Sequence, residues 1–176
     1  MTVGADALAG TVAGGRYYED LVIGEVRESG TRTITLEELV EFAARYDPQY
    51  FHADPIAAKQ SIFGELIASG IHSAALWRAL DHEISGDIHW ICGVAWEDVR
   101  WPNPVRAGDT LRARAEALAK RPSSKDPKRG IVEYRYTLLN QRNDTVFTCR
   151  SINLVALRPT EHGSSAATAS ARSLGD

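Results

Sequence analysis

Apolar residues recur at two spacings along this chain, and the spacing changes once. From Leu36, the positions Leu39, Val40, Phe42 and Ala43 follow a helical period that stops at Tyr46, two residues before Pro48. Thr35 and Glu38 hold the cap and third positions of a capping box, so a helix is expected from there to Tyr46. Asp47 then falls just past the helix end, because proline disfavours helical geometry at the residue before it. Asp54-Pro55 reads as a second N-cap with proline at the first helical position, opening a short helix through Ala57, Ala58 and Lys59. A longer helix is predicted from about Gly70 to Ile84. There Ile71, Ala74, Ala75, Leu76, Ala79, Leu80 and Ile84 are apolar nearly all round, the pattern of a helix buried on most of its surface. Ser85-Gly86 would end it.

Beyond that helix the period falls from about 3.6 to about 2. Residues 90–101, 109–120, 131–141 and 145–157 read as strands, with Leu111, Ala113, Ala115 and Ala117 alternating against Arg112, Arg114 and Glu116. With an early strand near 24–34, the set predicts an α+β architecture in which a curved antiparallel sheet wraps one long central helix. The ends differ in kind. Residues 1–16 are Ala/Gly-rich and 159–176 are small and polar, compositions that cannot offset their own ordering entropy by burial. The expected folded unit is therefore a single domain over 17–158, without internal repeats.

Composition narrows the function mainly by exclusion. The 176 residues carry 20 Lys+Arg against 23 Asp+Glu, a formal net charge of −3, which gives no electrostatic case for binding nucleic acid or an anionic membrane surface. Cys92 and Cys149 are too few for a disulfide framework and have no companions at metal-ligand spacing. Two buried thiols in a reducing compartment, and no metal site, are expected. Met1-Thr2-Val3-Gly4-Ala5-Asp6 lacks the features of a secretory signal and no apolar run is long enough to span a bilayer, so the expected location is cytoplasmic.

The chemistry concentrates in one segment. Asp47 and His52 stand five residues apart across the break between two predicted helices, where a carboxylate and an imidazole can converge on one water. Gly70 opens the long helix, whose N-terminus presents unpaired N–H groups to a developing oxyanion. Each feature also has a plainer reading: Asp47 as a turn residue before proline, His52 as a packed ring beside Phe51, and Ser69-Gly70 as an ordinary helix cap. Lys120, Arg121, Lys125, Lys128 and Arg129 crowd one loop, either as a solvated hairpin tip or as a site for coenzyme A phosphates or an acidic carrier protein. His72, His82 and His89 show no ligand spacing and are assigned no role.

The runs Asp47-Pro48-Gln49-Tyr50-Phe51-His52-Ala53-Asp54-Pro55, Phe63-Gly64-Glu65-Leu66-Ile67-Ala68-Ser69-Gly70-Ile71-His72 and Val99 through Leu111 together resemble the MaoC-like dehydratases and (R)-specific enoyl-CoA hydratases over nearly all of 17–158. The resemblance implies a hot-dog fold, usually as a homodimer or higher homo-oligomer with the active site near the subunit interface. It implies Asp47 and His52 as the catalytic pair that holds the water, and Gly70 as the backbone donor to a thioester carbonyl. The implied reaction, in fatty acid metabolism, is reversible syn hydration of a trans-2-enoyl thioester to an (R)-3-hydroxyacyl thioester. No cofactor is implied beyond the coenzyme A or carrier-protein part of the acyl thioester. Gln49 and Tyr50 stand where many such hydratases have Asn and Pro, and Ser69 where a His often precedes the glycine. With Ile71, these are the expected substrate-binding positions, and they leave branched, hydroxylated and straight acyl groups open. Trp77 and Arg78 would either shorten the acyl pocket or, for the tryptophan, fill the core. A hot-dog thioesterase and a non-catalytic acyl-binding subunit are the alternatives. Glu65, Asp81 and Glu83 are poorly placed for the first, and the intact Asp47/His52 pair argues against the second.

Overall fold

The computed structural model describes residues 14–159, so both expected tails lie outside it except for the three residues from Gly14 and for Pro159. Arg16 is tied to the fold: its N–H donates to the Asp87 carbonyl at 2.7 Å and its guanidinium pairs with Glu25.

Two short strands, β1 (Val26–Glu28) and β2 (Arg32–Thr33), lead into α1 (Leu36–Tyr46). The capping box forms as read: Thr35 Oγ1 accepts from Glu38 N–H at 3.2 Å and Glu38 Oε2 accepts from Thr35 N–H at 2.9 Å. Asp47 closes α1, its N–H bonded to the Ala43 carbonyl at 2.9 Å. The chain then makes a single helical turn, α2 (Tyr50–Ala53), which the periodicity does not show. Four residues are too few to display a period, and Gln49, at its N-cap, makes no cap bond. Asp54 accordingly ends α2 while its Oδ1 accepts from the N–H groups of Ile56 and Ala57 at 2.8 and 3.0 Å. It thereby opens a turn into a 3-10 segment, Ala57–Gln60, in place of the expected α-helix.

The long helix α3 (Gly70–Ser85) is followed by β3 (Trp90–Arg100), β4 (Thr110–Pro122), β5 (Arg129–Leu139) and β6 (Thr145–Ala156). Among the described residues these strands pair antiparallel, in the order β1-β4-β5-β6-β3, with β2 also against β4. This is a hot-dog fold, the sheet curving around α3. Inward alanines at 113, 115 and 117 of β4 let the helix approach closely, while Trp77, Leu80 and Ile84 of α3 meet Tyr136, Phe147 and their neighbours in the core. Burying each large side chain stabilises by roughly 1.5–3 kcal/mol.

Two expectations are corrected here. Ile71, Ala75 and Ala79 form an exposed stripe on α3, so in the single chain the helix is covered by the sheet on one side only. Cys149 is buried, whereas Cys92 is exposed because β3 is an edge strand with one neighbour and is bulged beside that residue.

Candidate active site

The site is built where the ends of α1, α2 and α3 meet. Asp47 caps α1 and His52 lies in the single turn of α2, so the tight Pro48-Gln49 link fixes their separation. His52 is buried, and its Nδ1 donates to the Ile67 carbonyl at 2.9 Å, which fixes the ring and turns Nε2 toward Asp47. The distance from Nε2 to Asp47 Oδ2 is 3.7 Å, long for a direct hydrogen bond and suited to one water bonded to both.

Ser69 completes the arrangement. Almost fully buried, its hydroxyl donates to Asp47 Oδ2 at 2.6 Å and accepts from Ile71 N–H at 3.2 Å, so one side chain caps α3 and anchors the carboxylate 22 positions earlier. Gln49 Nε2 donates to Asp47 Oδ1 at 2.9 Å. The Ser69 hydroxyl, and after it the Gln49 amide, hold the Asp47 carboxyl below the usual carboxylate range; partial desolvation opposes them and the nearness of His52 reinforces them. Among the described residues the Gly70 N–H has no acceptor, and the helix N-terminus adds partial positive charge there.

A cavity of about 390 Å³ adjoins these groups. His52, Gly70 and Ser73 form its polar side, and Phe51, Phe63, Trp101 and Pro104 its apolar side. Its far wall is the loop from Trp101 to Asp109, laid beside the approach to α3 by a bond from Ala68 N–H to the Val105 carbonyl at 2.8 Å and by an Ile67–Arg106 bridge. On the other side of the Asp47 turn, Phe42, Tyr46 and buried His72 line a smaller cavity of about 190 Å³.

The structure thus brings Asp47, His52, Ser69 and Gly70 together. Gln49 touches the carboxylate rather than the cavity, and Tyr50 and Ile71 lie exposed, outside the cavity wall of this chain. Sequence reasoning missed Phe63 and Trp101 as wall residues. Their signal lay in the quoted family runs, but nothing local marks two aromatic residues so far apart as neighbours of one site. Of the basic residues expected in one loop, Lys120 and Arg121 lie in β4 and Arg129 opens β5, and Lys120 is committed elsewhere. Its Nζ donates to the carbonyls of Tyr18, Glu19 and Leu21 at 3.1, 3.2 and 2.6 Å, and Arg129 lies 3.5 Å from Asp126. Among the described residues no cluster of His, Cys, Asp and Glu has metal-site geometry, and no helix is long and apolar enough to cross a membrane.

A sheet wrapped on one helix, with an Asp/His pair facing that helix's N-terminus, defines a hot-dog protein whose polar site lies at the start of the central helix. The chain belongs to the MaoC-like domain family: residues 20–138 match the family model described as "MaoC like domain". It is similar to the uncharacterized protein YdeM of Bacillus subtilis, 30% identical over 133 residues that span 73% of this chain and 91% of that one. Among solved structures it resembles the MaoC-like dehydratase of Rhodospirillum rubrum, with 36% identity, a TM-score of 0.76, and coverage of 83% of this chain and 100% of that one. It also resembles the R-hydratase PhaJ1 of Pseudomonas aeruginosa, with 27% identity, a TM-score of 0.67, and coverage of 82% and 88%. The family includes hydratases and dehydratases.

Proposed function

We propose that this protein catalyses reversible syn addition of water across the C2–C3 double bond of a trans-2-enoyl thioester, giving an (R)-3-hydroxyacyl thioester. One observation carries the reading: Asp47 Oδ2 and His52 Nε2 stand 3.7 Å apart, a gap that one water can bridge, and His52 and Gly70 both line the adjoining cavity. In this scheme the thioester oxygen accepts from Gly70 N–H, so charge arriving there during addition meets a fixed donor, worth a few kcal/mol of barrier. Asp47, kept ionised by Ser69 and Gln49, takes a proton from water as the hydroxyl oxygen bonds to C3. His52, carrying a proton on each ring nitrogen in this scheme, keeps Nδ1–H on the Ile67 carbonyl and delivers the Nε2 proton to C2 from the same face, becoming neutral. The proton on Asp47 then returns to Nε2 across the short gap, and the pair is ready for another turnover. Coenzyme A or a carrier protein enters only as part of the substrate.

The working unit in this reading is a homodimer joined along β3. That strand has 11 residues and one neighbour. Ile91, Val94 and Trp96 on it are 48%, 58% and 49% exposed, and α3 leaves its Ile71-Ala75-Ala79 stripe open. Sedimentation velocity checks this directly, and a monomer at micromolar concentration would contradict it.

The reaction is tested by loss of the conjugated thioester absorbance of crotonyl-CoA, repeated with Asp47→Asn and His52→Ala. Each variant is expected to lose about 10²–10⁴ in kcat/KM while keeping its thermal transition. Release of free thiol with the alkene intact would point instead to a thioesterase and overturn the hydratase reading.

A further inference from the structure

Glycine at position 70 leaves room for a close neighbour in the protein itself. Its backbone is not in a left-handed conformation, and a Cβ placed there would stand 3.1, 3.2 and 3.4 Å from Cε2, Nε1 and Cδ2 of the Trp101 indole. The ring lies directly over the start of α3, and its Nε1–H donates to the Gly70 carbonyl at 2.9 Å. Trp101 is also held from behind. Its ring packs on buried Phe147 at 5.8 Å, Phe147 stacks on fully buried Trp77 at 5.2 Å, and Trp77 meets Trp96 at 5.1 Å. The loop that carries Trp101 is pinned by Asn103 Nδ2 donating to the Thr145 carbonyl at 2.9 Å, and by buried Val105.

This row of aromatic rings separates two cavities. On one side lies the 390 Å³ cavity with His52 and Gly70. On the other, toward the C-terminal half of α3, a space of about 340 Å³ is lined by Arg78, Trp96, Tyr136, Ser151 and Asn153, the last with a buried Nδ2 that has no partner. The two share no lining residue. An acyl chain extending from a thioester seated at Gly70 therefore meets the indole almost at once, and the 340 Å³ space along the helix is closed to it.

We propose that Trp101, backed by Phe147 and Trp77, is the specificity-determining wall of this site and restricts the acyl group to short chains. The inference rests on the hydratase reading only in seating the thioester oxygen at Gly70 N–H. Methylenes beyond about the fourth carbon are turned out of the cavity into water and add nothing to binding. Each methylene that is buried tightens binding about fourfold.

Calorimetric titration of the wild-type protein with saturated acetyl-, butyryl-, hexanoyl- and octanoyl-CoA reads this without any turnover. The dissociation constant is expected to fall about fourfold per methylene up to butyryl and then level off. In Trp101→Ala, and to a smaller degree in Trp101→Phe, the fall is expected to continue through octanoyl. If Trp101→Ala is unfolded at the assay temperature, Trp101→Leu carries the same expectation. Wild-type affinity that keeps rising through octanoyl, or a folded small-residue variant with the wild-type chain-length profile, would overturn the proposal. A protein that binds in the expected pattern yet leaves crotonyl-CoA unhydrated would overturn the hydratase reading and leave the role of Trp101 standing. Failure to bind any of the four would overturn both.

Discussion

Removing the hydroxyl of Ser69 should damage both the stability of the protein and the ionisation of Asp47, by amounts the geometry allows to be worked out. In Ser69→Ala two bonds disappear at a nearly water-free position: the donation to Asp47 Oδ2 at 2.6 Å and the cap to Ile71 N–H at 3.2 Å. The first has the short length typical of a hydroxyl bonded to a carboxylate, and such charge-assisted bonds contribute about 1.5–3 kcal/mol. Loss of a serine cap costs about 1 kcal/mol. Because the same hydroxyl makes both bonds the terms overlap, and about 2–3 kcal/mol is expected, a fall in Tm of roughly 4–12 °C for a chain of this size. The activity loss follows from the carboxylate. About 2 kcal/mol of lost positioning corresponds to roughly 30-fold in kcat/KM.

The pH dependence separates this role from a purely structural one. Asp47 has a folded pKa below its unfolded value, so its ionised form contributes stability that is fully present above the unfolded pKa and is lost as pH falls through the folded one. Without the Ser69 hydroxyl that depression shrinks. The stability gap between wild type and variant should therefore be widest near neutrality and close on acidification, and the acid limb of the kcat/KM profile should move to higher pH. Thermal melts and initial rates on crotonyl-CoA between about pH 3.5 and 8 measure both. An unmoved acid limb with kcat/KM within twofold of wild type would refute the reasoning.

Two other substitutions probe the scaffold. Lys120→Gln replaces an ammonium that binds three carbonyls of the N-terminal turn, and should cost about 2 kcal/mol, read as a fall in Tm of roughly 4–8 °C with little change in kcat. Gly70→Ala requires the Trp101 indole to shift by a few tenths of an ångström at the start of α3, and should lower kcat/KM on crotonyl-CoA by about tenfold while the far-ultraviolet circular dichroism is unchanged.

How much of this could be read from the residues depended on how local the cause was. The α1 cap is written in Thr35 and Glu38, three positions apart, and β4 in the alternation of apolar with charged residues from Leu111 to Ala117, so both were legible. The single turn α2 was not, since four residues carry no period. Asp47, His52 and Gly70 stood out by spacing and family resemblance, but their convergence depends on long-range contacts: Ser69 reaching back 22 residues, and Ile67 presenting its carbonyl to a ring 15 residues before it. Trp101 lies 31 residues from Gly70, and nothing near it in the chain foretells that its indole would cover that glycine. Cys92 looked like a core residue because β3 is apolar on both faces, and only the strand order makes it an edge.

The central claim is that Asp47 and His52 work from one side of the substrate on one water. Hydration of crotonyl-CoA in D₂O, with the configuration of the 3-hydroxybutyryl product determined at both carbons, tests it most directly. The account predicts the 3R product with deuterium added at C2 on the same face as the hydroxyl at C3, and loss of that product in both Asp47→Asn and His52→Ala. A 3S product, anti addition, or undiminished formation of the product by either variant would contradict it.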